Sequence, residues 1–117
     1  MPTTNAFNRY TVEIHGGADG RVGLLLCYQG TAFAGRIDFY PDGETLPQDY
    51  LWNVGGGHYV VLQMPMSRFN AVMSTVRQEK PLALYIDVIA GTGATTLGHG
   101  HLRTSEHEPV GEEEATP

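Results

Sequence analysis

The fold is decided by the stretch Tyr10-Thr11-Val12-Glu13-Ile14-His15-Gly16-Gly17-Ala18-Asp19-Gly20-Arg21-Val22-Gly23-Leu24-Leu25-Leu26-Cys27-Tyr28-Gln29. Its first part alternates apolar Tyr10, Val12 and Ile14 with polar Thr11, Glu13 and His15, the period of two that a half-buried strand shows. Gly16 to Gly20 supplies residues that tolerate positive φ, and the apolar run Arg21 to Gln29 follows, so the stretch predicts a β-hairpin. In the second strand Val22, Leu24, Leu26 and Tyr28 line one face while Leu25 and Cys27 line the other. A strand that is apolar on both faces belongs inside a sheet or beneath another chain.

Outward from this hairpin, Phe33, Gly35, Ile37 and Phe39 alternate with Ala34, Arg36, Asp38 and Tyr40, predicting a third strand that ends at the turn Pro41-Asp42-Gly43. Glu44 to Gly57 reads as a loop holding at most one short strand. His58 to Met64 resumes as a strand and Pro65 stops it. Ser67 is then placed to cap a helix over about residues 67–79, with Phe69, Val72, Met73 and Val76 at i, i+3, i+4 and i+7 as its apolar stripe. Arg77 and Lys80 suit the negative end of the helix dipole, and Pro81 closes it. Leu82 to Ile89 and Thr95 to Ser105 complete the strands. The expected class is α+β, mainly β: a curled antiparallel sheet or small β-barrel of about six strands with one helix. A single helix of this length covers only part of such a sheet, so the remainder must curl on itself or dimerise. The 15 glycines suit bulges and close backbone approaches.

The chain of 117 residues has the size of one domain. Residues 1–105 form the expected globular unit and 106–117 an acidic tail. The formal net charge is −6. Residues 1–105 hold eight acids and seven bases, so the body is nearly neutral; Glu106, Glu108, Glu112, Glu113 and Glu114 carry most of the excess. The scattered bases form no stripe that would release counterions from phosphates, which argues against nucleic acid. The tail is expected to be solvated, with a basic protein partner as the alternative. The longest apolar run, Val22 to Tyr28, is far short of the roughly 20 residues of a spanning helix, and the Met1-Pro2-Thr3-Thr4-Asn5 start lacks an apolar signal segment. The expected location is cytoplasmic, away from membranes. Cys27 is the only cysteine and lies in an apolar run, so it reads as a core residue.

Few motifs carry chemistry. Gly91-Thr92-Gly93 lacks the third glycine and the helix of a dinucleotide turn, and Gly55-Gly56-Gly57 lacks the Lys-Ser/Thr pair of a phosphate loop. Asp38 and Asp87 are the acids available for hydrolytic work, with pairing to an arginine such as Arg36 as the plainer expectation. Tyr28, Tyr40, Trp52, Tyr59 and Tyr85 are amphipathic groups that either fill the barrel or wall a small-molecule pocket in it, with Tyr28, Trp52, Tyr59 and Tyr85 as the pocket residues. His99 and His101, two apart on a strand, share one side and can present two imidazoles to a divalent metal with Glu106 as third ligand.

The spacing Gly93, five residues, His99-x-His101, four residues, Glu106 resembles the first metal motif of the cupin family. That resemblance implies a barrel binding iron, manganese or zinc through two histidines, a glutamate and a later histidine. Here the chain after Glu106 runs Glu108-Pro109-Val110-Gly111-Glu112, so His15 or His58 would have to stand in as the last ligand. Arg77-Gln78-Glu79-Lys80-Pro81-Leu82 and the Glu-Pro-Val-Gly-Glu tail are similar to segments of small bacterial single-domain proteins of unknown activity. The leading expectation is a non-catalytic binding or assembly module, without cofactor, that self-associates through the strand Val22–Tyr28 or a sheet edge as a homodimer or larger homo-oligomer. The alternatives are a cupin-like metal-dependent enzyme using His99, His101 and Glu106, and a small-molecule-binding β-barrel.

Overall fold

A computed structural model of the chain describes residues 2–18, 20–91 and 93–104. Among these residues eight strands form one sheet: β1 (Pro2–Phe7), β2 (Arg9–Ile14), β3 (Gly23–Gln29), β4 (Ala32–Tyr40), β5 (Asp49–Val54), β6 (Gly57–Pro65), β7 (Leu82–Ala90) and β8 (Thr95–Thr104). A short 3₁₀ turn, Met66–Arg68, leads into the helix α1 (Phe69–Gln78) between β6 and β7. The mainly β class with one helix is as expected, but there are eight strands where the sequence suggests about six. The two additions are β1, whose Thr3, Asn5 and Phe7 give little apolar alternation, and β5, inside the stretch that reads as a loop.

The sheet order is β1-β7-β8-β5-β6-β4-β3-β2, with every pair antiparallel except β4 and β6. The meander β2-β3-β4 is the hairpin and third strand read from the sequence. β3 lies between β2 and β4, with Leu25 and Cys27 at 0% exposure on one face and Leu24 buried on the other. β5 and β6 form a hairpin in which Val54 pairs with Gly57, and Gly55 and Gly56 sit at φ +57° and +79°. Two successive positive φ values are the requirement of a type I′ turn, which explains the glycines without any phosphate ligand.

β1 and β2 occupy opposite ends of the sheet, yet only Asn8 separates them in sequence. A flat sheet of this order would hold its ends roughly 34 Å apart, whereas two residues of chain span at most about 7 Å. The sheet must therefore curl until its ends meet at Asn8, giving a half-barrel. Asn8 N–H donates to Tyr28 O at 2.9 Å, and Asn8 Oδ1 accepts Gly30 N–H at 2.9 Å, which pins the bend. Along the seam, Asn5 Nδ2 donates to Ala34 O at 2.9 Å and to His58 O at 2.7 Å, so a side-chain amide ties β1 to the backbone of β4 and β6.

The concave face holds the core. Leu25, Ile37, Phe39, Leu62, Leu84 and Ile86 are among its buried residues, and α1 closes it with Val72, Met73 and Val76, the apolar stripe of the sequence. Phe69 meets Phe39 edge to face, with ring centroids 5.2 Å apart. The helix starts two residues later than expected and without the Ser67 cap: its N-cap is Arg68, and Ser67 N–H instead donates to Asp42 Oδ1 at 2.9 Å. No described helix is long and apolar enough to cross a membrane.

Candidate functional site

The polar chemistry of the described residues gathers on the convex face of β4, β5 and β6. Arg36 and Asp38 are two apart on β4 and so point to the same side. Arg36 Nε donates to Asp38 Oδ1 at 2.8 Å and its Nη2 donates to the Tyr50 hydroxyl at 3.0 Å. Arg21 Nη1 stands 3.7 Å from the same Asp38 oxygen, and the Asp38 side chain is only 3% exposed. A carboxylate so deeply placed is tolerable because two guanidinium groups face it. Burial, and then the Asp38 charge, raise the Tyr40 hydroxyl above its usual range, with Arg21 opposing. Gln63 lies opposite Asp38 in register and is buried, and its Oε1 has no hydrogen-bond partner among the described residues.

Beside this cluster the rings of Tyr28, Phe33, Tyr59 and Trp52 form one row across four strands, with successive centroids 5.6, 5.2 and 5.9 Å apart. The Arg36 guanidinium carbon lies 5.8 Å from the Trp52 centroid, joining the row to the ion pair. Three of the four aromatic residues expected to wall an interior pocket, Tyr28, Trp52 and Tyr59, are thus together but on the convex face, half-buried. Tyr85 stands apart from them, stacked on His101 with centroids 4.7 Å apart and with Arg103 over its ring at 5.4 Å.

His99 and His101 are exposed on one side of β8, as their spacing requires. Their cross-strand neighbours are Asp87 and Tyr85, and His101 is held by its ring contact. Glu106 and the acidic tail lie outside the described residues. His15 instead bonds Glu13 Oε1 at 2.9 Å, and His58 Nδ1 lies 2.5 Å from Asn53 Oδ1. Among the described residues no three His, Cys, Asp or Glu side chains converge on one point. Asp38 and Asp87 are four strand positions apart, roughly 19 Å measured along the curved sheet, and diverge on its convex side, so they are not placed as a carboxylate pair. Burial pushes the Cys27 thiol up to about 12, so it remains protonated and inert at neutral pH.

Two further features come from the curl. A cleft of about 580 Å³ opens between the β1–β2 bend and the C-terminal end of α1, lined by Phe7, Tyr10, Val76, Arg77 and Lys80 among others. On the other side of the bend, β2 runs as an edge strand on which Val12 is 38% and Ile14 67% exposed. Tyr50 does not stand out as a site residue in the sequence, because β5 itself is illegible there.

The geometry defines a half-barrel sheet wrapped over one helix, with a buried ion pair and an aromatic row on its convex side. No protein-family model, curated protein or solved structure matches this chain.

Proposed function

We propose that the chain is a non-catalytic binding or assembly module that self-associates through a sheet edge. The observation that carries this reading is the outer side of β2, which no other described strand pairs, a six-residue edge strand with Val12 and Ile14 exposed on its concave face. Edge strands that must stay single are blunted by charged side chains, lysine above all, by proline or by a bulge. β2 has no lysine or proline, its two charges Arg9 and Glu13 are of opposite sign, and its register with β3 runs without a shift from Arg9 to Ile14. The contact goes to an edge and not to the doubly apolar β3, because both sides of β3 are already paired. Sedimentation equilibrium over a wide concentration range tests the reading. A mass rising above 12.8 kDa supports it, and a 12.8 kDa species at the highest concentration overturns it.

A second reading, small-molecule binding, is favoured by the cleft of about 580 Å³ beside α1, whose apolar Phe7, Tyr10 and Val76 sit next to two cations, Arg77 and Lys80, against one acid, Glu79. That combination suits an apolar carboxylic acid. A rise in melting temperature with a medium-chain fatty acid, lost in Arg77→Ala with Lys80→Ala, would support it; no rise in the wild-type chain counts against it.

A further inference from the structure

The edge strand β2 carries a pattern that is complementary to itself. His15 N–H donates to Val22 O at 2.9 Å, and the ladder registers Glu13 with Leu24, Thr11 with Leu26 and Arg9 with Tyr28. Antiparallel ladders alternate bonded and non-bonded pairs. Arg9, Thr11 and Glu13 therefore direct their backbone groups to β3, while the N–H and C=O groups of Tyr10, Val12 and Ile14 point away from the sheet. The side chains alternate in the other sense: Arg9, Thr11 and Glu13 share the convex face, Tyr10, Val12 and Ile14 the concave one.

We propose that two copies of this chain pair antiparallel along β2 about a two-fold axis at Thr11, Arg9 of each facing Glu13 of the other, so that two half-barrel sheets join into one. This register rests on the self-association reading and specifies its contact. It places Tyr10 opposite Val12 of the second copy as a bonded pair, using the backbone groups that point outward. It also brings the exposed Val12 against the Tyr10 ring. Moving the axis to Val12 would set Arg9 against His15 and Glu13 against Thr11; moving it to Tyr10 would set Arg9 against Thr11. Only the Thr11 axis matches both charges while using the free backbone groups. Glu13 Oε1 already lies 2.9 Å from His15 Nε2 on its own chain, and its side chain is 52% exposed, leaving the carboxylate accessible to an arginine. The other end of the sheet is less open, because the curl lays β1 against β3, β4 and β6 and Asn5 ties it there.

The test uses the full chain. A two-fold axis at Thr11 brings the two copies of this residue together as a non-bonded pair with Cα atoms about 4.5 Å apart, within reach of a disulfide. Thr11→Cys should cross-link the dimer under mild oxidation, and Glu13→Cys should not, because position 13 faces position 9; buried Cys27 does not compete. Charge exchange gives an independent reading. Arg9→Glu alone and Glu13→Arg alone each set like charges opposite one another and should weaken the dimer about threefold to tenfold. Mixing the two variants restores both ion pairs and should produce the heterodimer in preference to either homodimer. If the wild-type chain stays monomeric, both the register and the self-association reading fall. If it self-associates but Thr11→Cys does not cross-link and the two charge variants do not prefer each other, this register is wrong and self-association through another surface stands.

Discussion

The carboxylate of Asp49 accepts the backbone N–H of Gly100 through Oδ2 at 3.0 Å, so a side chain of β5 reaches across to β8. Its other oxygen accepts the N–H of Gln63 on β6 at 2.8 Å. β5 begins at Asp49, and beyond it β6 and β8 continue without a strand between them. The carboxylate thus caps two backbone donors where the neighbouring strand ends. Asp49→Ala leaves both donors without this partner and should lower stability by about 2–4 kcal/mol, with Asp49→Asn, which keeps one acceptor, losing less. Urea denaturation of the two variants checks the order, and equal losses would show that packing, not the carboxylate, holds this junction.

The Arg36–Asp38 pair makes a second prediction. Removing one partner of a buried pair costs more than the pair contributes, because the other charge is left uncompensated. Asp38→Asn should destabilise by about 2–3 kcal/mol, somewhat less than for a fully enclosed pair because Arg36 keeps 18% of its side chain exposed. Arg36→Met should cost less than Asp38→Asn, since Arg21 still faces the carboxylate while Met retains contact with Trp52. Thermal and chemical melts of both variants decide the order.

Much of this architecture is visible in the sequence where the pattern is local. The hairpin from Tyr10 to Gln29 and the stripe Phe69, Val72, Met73 and Val76 follow from periodicity alone, and the structure places them as expected. β1 and β5 escape because their alternation is carried by the wrong residues. Asn5 on β1 points inward to bridge the seam, and on β5 Leu51 is the only buried residue, flanked by aromatic Tyr50 and Trp52 on the convex side. The parallel pairing of β4 with β6 is non-local, and nothing in either strand announces it. Of the site, Arg36 and Asp38 are legible as a same-face pair. The Asp49 bridge and the aromatic row depend on which strands adjoin, information that periodicity does not hold.

Two glycines on opposite sides of the sheet's packing make a contrast that can be measured. A Cβ at Gly100, on β8, would run into Leu62 Cδ2 and the carbonyl oxygen of Tyr85, the latter being backbone that cannot swing aside. Gly100→Ala should therefore cost more than about 3 kcal/mol or prevent folding. Gly16, in the β2–β3 turn, has nothing within 4 Å of the place a methyl group would take, and no positive φ. Gly16→Ala should be neutral or stabilise by up to about 1 kcal/mol through the unfolded chain. Paired urea titrations measure both, and similar losses at the two positions would contradict the close approach of β8 to the core.

Cys27 links the core to pH. Burial raises its thiol from an ordinary value of 9.0 to about 12, so in the folded chain it stays neutral where the unfolded chain has ionised. The sign follows from proton linkage: below pH 9.0 both states are protonated and the full stability is present, and between pH 9.0 and about 12 the unfolded thiolate draws the equilibrium toward unfolding. This group alone should lower stability by about 1.4 kcal/mol per pH unit across that window. Cys27→Ala, although less stable at neutral pH through the lost sulfur contacts, should show a correspondingly shallower alkaline slope. The same burial predicts that a thiol reagent at pH 8 labels the folded chain far more slowly than the chain in denaturant, at a rate limited by opening of the β2–β3–β4 meander. Fast labelling of the folded protein would mean that β3 is not sealed between its neighbours.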